Sequence, residues 1–229
     1  MSALGTVGSI DASPLSQRVL SRIRDRILAG ALKPGVWLRL TDLAAELGTS
    51  VTPVRTALLT LEHQGLVKVA KARGFCVVPP TRRDVQDAYM ITAFLSGELT
   101  ARSTSPVRPE LLARIAAIHE RMTAVASGRA AGDVDVLNWE FHREIHLAAE
   151  SPRALSTLRA VTRSVPHDFH RLVPGWTAEA LGHHAEIVAA LRAGDAGEAR
   201  RLAEQHVALG CERLIAHFER IGYWSATTS

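Results

Sequence analysis

The sequence predicts a mainly α-helical chain in two parts. An N-terminal winged helix-turn-helix, with three helices and a β-hairpin wing, precedes an all-α antiparallel helical bundle. Three observations carry that reading. Apolar residues recur at helical spacing through most of the chain. The two β-rich runs both lie between residues 66 and 78, on either side of a basic stretch. Pro79-Pro80 then breaks the pattern, and everything after Asp84 reads as helix.

In order along the chain, residues 1–12 are small, Gly/Ser-containing and unpatterned, and are expected to be a disordered tail. Leu15, Val19, Ile23 and Ile27 recur every four residues and predict the first helix, which ends at Gly30 and the Lys33-Pro34-Gly35 turn. Thr41 is placed to cap a short helix over 42–47, stopped by Gly48. Thr52-Pro53 reads as the N-cap and first position of a third helix running to about Gln64, with Gly65 closing it. Residues 66–69 and 74–78 are the strands of a hairpin, and Ala70-Lys71-Ala72-Arg73 joins them. Later helices are predicted over 83–103, 108–127, 132–149, 153–171, 176–193 and 195–221, punctuated by Pro and Gly. The expected division is a tail at 1–12, a DNA-binding domain at 13–79, a linker at 80–84, a helical domain at 85–222 and a tail at 223–229.

Composition excludes some classes and favours others. No apolar run approaches the roughly 18 residues a membrane helix needs, and no secretory signal opens the chain. Cys76 and Cys211 lie far apart and form no spaced pair, so a reduced, cytoplasmic protein without a membrane partner is expected. The net charge of +4 is unevenly placed: residues 1–80 hold ten Lys/Arg against five Asp/Glu, leaving the remainder slightly acidic. A basic front end on a near-neutral partner domain suits nucleic-acid binding. Histidine is skewed the other way, with only His63 in the first hundred residues.

Two short helices joined by a Gly-containing turn, followed by a basic hairpin, have the organisation of a DNA-binding helix-turn-helix. The second helix of such a pair presents its N-terminal residues to base edges in the major groove. Here that end offers Ser50, Val51, Thr52, Arg55 and Thr56, and Thr41 opens the helix before it. Arg55 can contact guanine bidentately, and the hydroxyls can hold phosphates.

These residues resemble the GntR family. The matching stretches are Leu32-Lys33-Pro34-Gly35-Val36-Trp37-Leu38, Leu43-Ala44-Ala45-Glu46-Leu47-Gly48 and Thr52-Pro53-Val54-Arg55-Thr56-Ala57-Leu58. Leu61-Glu62, Gly65-Leu66-Val67 and Arg73-Gly74 continue the match in register. The resemblance implies DNA contacts by Arg55 and by Gly74 at the wing tip, where a side chain would collide with the minor groove. Lys71 and Arg73 are candidate phosphate contacts of the wing. The chain departs from the family at Val51, usually arginine, and at Thr56, usually glutamate, so its operator sequence is expected to differ.

The second half resembles the FCD effector domain of the FadR-like GntR branch. Asn138-Trp139-Glu140-Phe141-His142 occupies the first metal motif, His184-Ala185-Glu186-Ile187 the second, and His206 the third. The resemblance implies a divalent transition metal (Zn²⁺, Ni²⁺ or similar) held by Asn138, His142, His184 and His206. Spacing of four puts Asn138 and His142 on one helical face, and His146 follows one turn further as a competing ligand. Asn138 stands where aspartate is commoner, and Thr92 and Ser96 stand where the family often has arginine and glutamate. Arg159, Arg163 and Arg171 are alternative bases near the pocket. His167-Asp168-Phe169-His170 reads as a surface cluster in a helix.

The expected function is therefore a sequence-specific transcriptional regulator, by family habit a repressor, with no catalytic residues. A homodimer would match a palindromic double-stranded operator. A small-molecule effector bound in the helical domain would shift the two winged helices through residues 78–81. The alternatives are an architectural DNA-binding dimer without effector, and a metal-dependent enzyme built on the three histidines.

Overall fold

The computed structural model describes residues 15–70, 74–78, 80–106, 108–164 and 169–224. The chain divides into two compact units, residues 1–79 and 80–229. The expected tail at 1–12, and residues 225–229 of the tail expected at 223–229, lie outside the described residues.

The first unit contains α1 (Leu15–Leu28), β1 (Trp37–Leu38), α2 (Leu40–Glu46), α3 (Val51–His63), β2 (Val67–Ala70) and β3 (Gly74–Val77). The buried stripe of α1, Val19, Ile23 and Ile27, packs with Val54, Leu58 and Leu61 of α3 into one apolar core. The three strands form an antiparallel sheet in the order β1-β3-β2. Strand β1 was not apparent from sequence, because two residues beside a Pro-Gly turn have no period of their own. Pairing to β3, with Trp37 opposite Cys76, is what makes them a strand.

Two predicted caps differ. Helix α2 begins at Leu40 with Arg39 at its N-cap, and the Thr41 hydroxyl donates to Asp42 Oδ1 at 3.1 Å. Helix α3 begins at Val51 with Ser50 at its N-cap, which puts Pro53 at the third helical position. That placement is as permissive as the first, since the first four N–H groups of a helix have no partner within it.

Gly74 opens β3 opposite Ala70 with φ +92°. A Cβ there would stand 3.1 Å from the Leu38 carbonyl oxygen, so the sheet itself requires glycine at this position. Gly74→Ala is expected to destabilise the first unit by about 1–3 kcal/mol. The corresponding measurement is hydrogen exchange, with faster exchange over residues 67–77 expected in the variant.

The second unit contains α4 (Arg82–Arg102), α5 (Pro109–Ala126), α6 (Val134–Ala148), α7 (Pro152–Val161), a 3₁₀ turn (Thr162–Ser164), α8 (Phe169–Leu172), α9 (Trp176–Ala193) and α10 (Ala196–Arg220). Ion pairs define the directions of the long helices. Arg82 meets Glu219 and Arg200 meets Glu98, so α4 and α10 run antiparallel. Arg114–Glu144 joins α5 to α6, and Arg213–Glu179 joins α10 to α9. These exposed pairs set register more than stability.

Three boundaries differ from the sequence reading. Thr81 and Asp84 form a reciprocal capping box that starts α4 at Arg82, inside the expected 80–84 linker. Tyr223, assigned to a tail, is only 4% exposed and stacks on Phe218 at 4.2 Å. Trp224 Nε1 donates to the Pro80 carbonyl at 2.9 Å, tying the end of α10 to the start of α4. The single helix expected over 153–171 is instead α7, the 3₁₀ turn and the short α8.

Two apolar clusters form the second unit's interior. Leu111, Ile115, Met122, Phe141, Ile145 and Ile187 belong to one. Tyr89, Phe169, Trp176, Leu214, Phe218 and Tyr223 belong to the other.

Candidate functional sites

The N-terminal end of α3 is an exposed polar surface on a rigid base. Ser50, Val51, Thr52, Arg55 and Thr56 are exposed, as is Thr41 on α2. Val54, Ala57 and Leu58 on the opposite face are buried and hold the helix to its core. Arg55 makes no ion pair among the described residues, which leaves its guanidinium available to an outside partner. The Thr56 hydroxyl donates to the Thr52 carbonyl at 3.2 Å, leaving its lone pairs as its open capacity. Lys71 and Arg73 lie outside the described residues.

In the second unit, His142 from α6, His184 from α9 and His206 from α10 converge. Each offers a ring nitrogen, and these atoms lie within 4.8 Å of one another. Ring centroids are 5.0 Å apart for His142–His184 and for His142–His206, and 4.7 Å for His184–His206. The cluster sits at the seam of the two apolar clusters. His184 stacks on Phe141 at 4.5 Å, while His206 tilts against Trp176 at 5.4 Å.

This is a polar set in an apolar setting. Both ring nitrogens of His184, Nδ1 of His206 and Oδ1 of Asn138 are buried without a hydrogen-bond partner among the described residues. Such groups are unusual and call for an explanation. Burial, reinforced by the neighbouring His206, holds His142 and His184 well below the usual imidazole range. Burial brings His206 down to about 3. All three are neutral near pH 7, which is the form that offers a lone pair to a metal ion. The donor set, three imidazoles beside an amide oxygen, fits a borderline divalent cation.

His146 is not part of the convergence. Its Nε2 lies 3.0 Å from Ser96 Oγ, and burial lowers its pKa to about 4. His170 and Phe169 are buried, contrary to the surface reading. The backbone N–H of His170 donates to Asp135 Oδ1 at 2.7 Å, and its Nδ1 faces Thr177 Oγ1 at 3.2 Å. His167 and Asp168 lie outside the described residues.

Beside His142 and His206 opens a cavity of about 420 Å³, a size suited to a small organic ligand. Val136, Trp139, Leu155, Leu158, Phe169 and Trp176 give it a largely apolar wall. Arg143, Arg159 and Glu140 also line it, while Arg171 is turned to Asp133 and Asp135. Tyr89 is a lining residue that sequence reasoning missed. Its hydroxyl is buried without a partner among the described residues. A tyrosine three residues before Thr92 carries no motif, and only the packing of α4 against α10 brings it to the cavity.

Comparison with known proteins adds to this picture. Residues 15–77 match the family described as bacterial regulatory proteins, gntR family, and residues 87–209 match the FCD domain. The HTH-type transcriptional regulator McbR of Escherichia coli is 26% identical over 192 residues, covering 82% of this chain and 87% of that protein. A probable D-xylose utilization operon transcriptional repressor of Paenarthrobacter nicotinovorans is 29% identical over 205 residues, covering 83% and 86%. Among solved structures, E. coli McbR/YncC has a TM-score of 0.70 at 24% identity, covering 90% of this chain and all of that one. That likeness shows the fold.

Proposed function

The chain belongs to the GntR family of bacterial regulatory proteins and carries an FCD domain, and from this premise we propose a repressor controlled by a small molecule. The transcriptional regulator reads an operator with residues 13–79 and senses an effector with the helical residues that follow. The observation that carries the sensing half is the cavity of about 420 Å³ opening onto His142 and His206, two of the three convergent histidines. A relative described as an operon repressor supports the direction of control.

His142, His184 and His206, with the Asn138 amide oxygen, would hold a divalent transition metal such as Zn²⁺ or Ni²⁺. When bound, it would supply a Lewis-acidic anchor for an oxygen of the effector. The chain's own residues do the rest. Phe141 and Trp176 hold the rings of His184 and His206 in place, and the apolar wall excludes water from the bound molecule. A homodimer presents two α3 helices to the two halves of a palindrome. Occupancy of the cavity changes operator affinity by favouring one arrangement of that dimer.

Arg55 is the base-reading side chain, and Ser50 and Thr52 position the helix on phosphates, joined by Thr56 and Thr41 once their hydroxyls turn from the Thr52 carbonyl and Asp42. Val51 offers no hydrogen bond and instead suits a thymine methyl. Lys71 and Arg73 add phosphate contacts from the wing. The test is capture of fragmented genomic DNA by the purified protein, followed by sequencing. An enriched palindrome upstream of a few genes is expected. Arg55→Ala should then weaken binding to that palindrome by about 1–3 kcal/mol. Absence of any enriched sequence, or full affinity in the variant, would overturn the assignment.

A further inference from the structure

We propose that Tyr89 orients the effector by donating a hydrogen bond into the cavity, and that the effector is a largely apolar monoanion rather than a polycarboxylate. This rests on the reading of the cavity as the effector site. The first observation is the tyrosine itself. It is 6% exposed, it lines the cavity, and its hydroxyl has no hydrogen-bond partner among the described residues. A buried tyrosine O–H normally finds a partner, and an occupant of the cavity with an acceptor oxygen supplies one. Burial pushes the phenol well above its usual range, so it serves as a donor at neutral pH.

The second observation is the poverty of charge around it. On the α4 wall, the Thr92 hydroxyl donates to the Ala88 carbonyl at 2.8 Å, and the Ser96 hydroxyl is engaged with His146. Neither is a cation, and both are already partnered within the protein. Elsewhere the cavity has two arginines and one carboxylate, Arg143, Arg159 and Glu140. Arg143 also pairs with Glu144 at 3.4 Å. Arg159 makes no ion pair among the described residues, so it is the natural counter-charge for one anionic group. Beyond the groups met by Arg159 and the metal, a further carboxylate would face Trp139, Leu155, Leu158 or Trp176, where an unpaired charge is strongly unfavourable.

Size and shape agree. Gly210 lies against the ring edges of both Tyr89 and Trp176, where a Cβ would make ordinary contact at 3.7 Å. Tyr89 and Trp176 both line the cavity, and an aromatic ring held beside them can stack offset or edge-on.

The experiment is titration calorimetry on the full chain, loaded with zinc, using 1-naphthoate and citrate as probes. Wild type should bind 1-naphthoate at least about tenfold more tightly than citrate, the preference expected of a wall that buries apolar area and pairs one charge. Tyr89→Phe should weaken 1-naphthoate about 5- to 30-fold, as expected for losing one hydrogen bond to an anionic acceptor. The ligand-free melting temperature should hold or rise in that variant, because an orphan hydroxyl has been removed; a purely structural tyrosine would give a lower one. Tighter citrate binding, no binding of 1-naphthoate, or unchanged affinity in Tyr89→Phe would each overturn the proposal, and operator capture would stand regardless. Tight 1-naphthoate binding that leaves operator affinity unchanged would instead sink effector control, with the role of Tyr89 intact.

Discussion

Phe141→Ala is expected to destabilise the helical unit by about 3–5 kcal/mol, the usual range for truncating a fully buried phenylalanine. Phe141 has no exposed surface and sits among Leu111, Ile115, Ile145 and Ile187. Its loss removes apolar area from the core and leaves a void that rigid helices fill only in part. That is a large share of the roughly 5–15 kcal/mol by which domains are stable. A second consequence follows from the stacking of its ring on His184 at 4.5 Å. Without that wall the imidazole regains rotameric freedom, so zinc affinity should fall even at temperatures where the variant is folded. Urea denaturation with and without zinc measures both effects. A loss under 1 kcal/mol would show that the neighbouring side chains collapse into the space.

His184→Ala should give the reverse pattern, with a large effect on metal and a small one on the metal-free fold. Altering a residue that merely supports a ligand commonly lowers metal affinity 10- to 100-fold, so removing one of three imidazoles should lower it by more than about 100-fold. Competition with a chromophoric chelator measures this directly. Both ring nitrogens of His184 are buried without partners among the described residues. Removing them relieves an unfavourable desolvation that offsets part of the lost packing. The apo melting curve should therefore shift much less than for Phe141→Ala. Equal metal affinity in wild type and His184→Ala would remove the three-histidine centre from consideration. A loss of apo stability as large as that of Phe141→Ala would show that His184 is a packing residue.

The contrast between these two neighbours shows how a sensor can be built into a core. Phe141 and His184 are in contact and equally buried. One contributes apolar area that water rejects, and the other contributes polar atoms that require a partner. The fold can carry the second because the first and its neighbours supply a surplus. A cation or a ligand supplied later would satisfy the polar atoms, which would couple occupancy to stability.

What the sequence determined by itself was most of what is local or periodic. Helix α1 was legible in Leu15, Val19, Ile23 and Ile27, because a four-residue recurrence marks one face, and the last three of these are its buried stripe. The ends of α9 followed from Pro174-Gly175 and Gly194, both glycines adopting positive φ. His142, His184 and His206 were each legible through short motifs of fixed register. Residues whose role depends on a distant partner were not. Ser50 displaced Thr52 as the N-cap of α3, since no local rule separates two hydroxyl residues two positions apart. Trp37 and Leu38 became a strand only through β3, and Tyr223 became core only by stacking on Phe218.

Tertiary structure alone decided which polar groups are left over. His146 follows His142 by one helical turn and looked equivalent as a ligand, yet Ser96, fifty residues earlier, engages it. Tyr89 carries no signature, and the packing of separate helices brings it to the cavity that Arg159 also lines. A sequence lists every donor and acceptor the chain possesses. Only the folded contacts show which have been satisfied, and the remainder is what a ligand can bind.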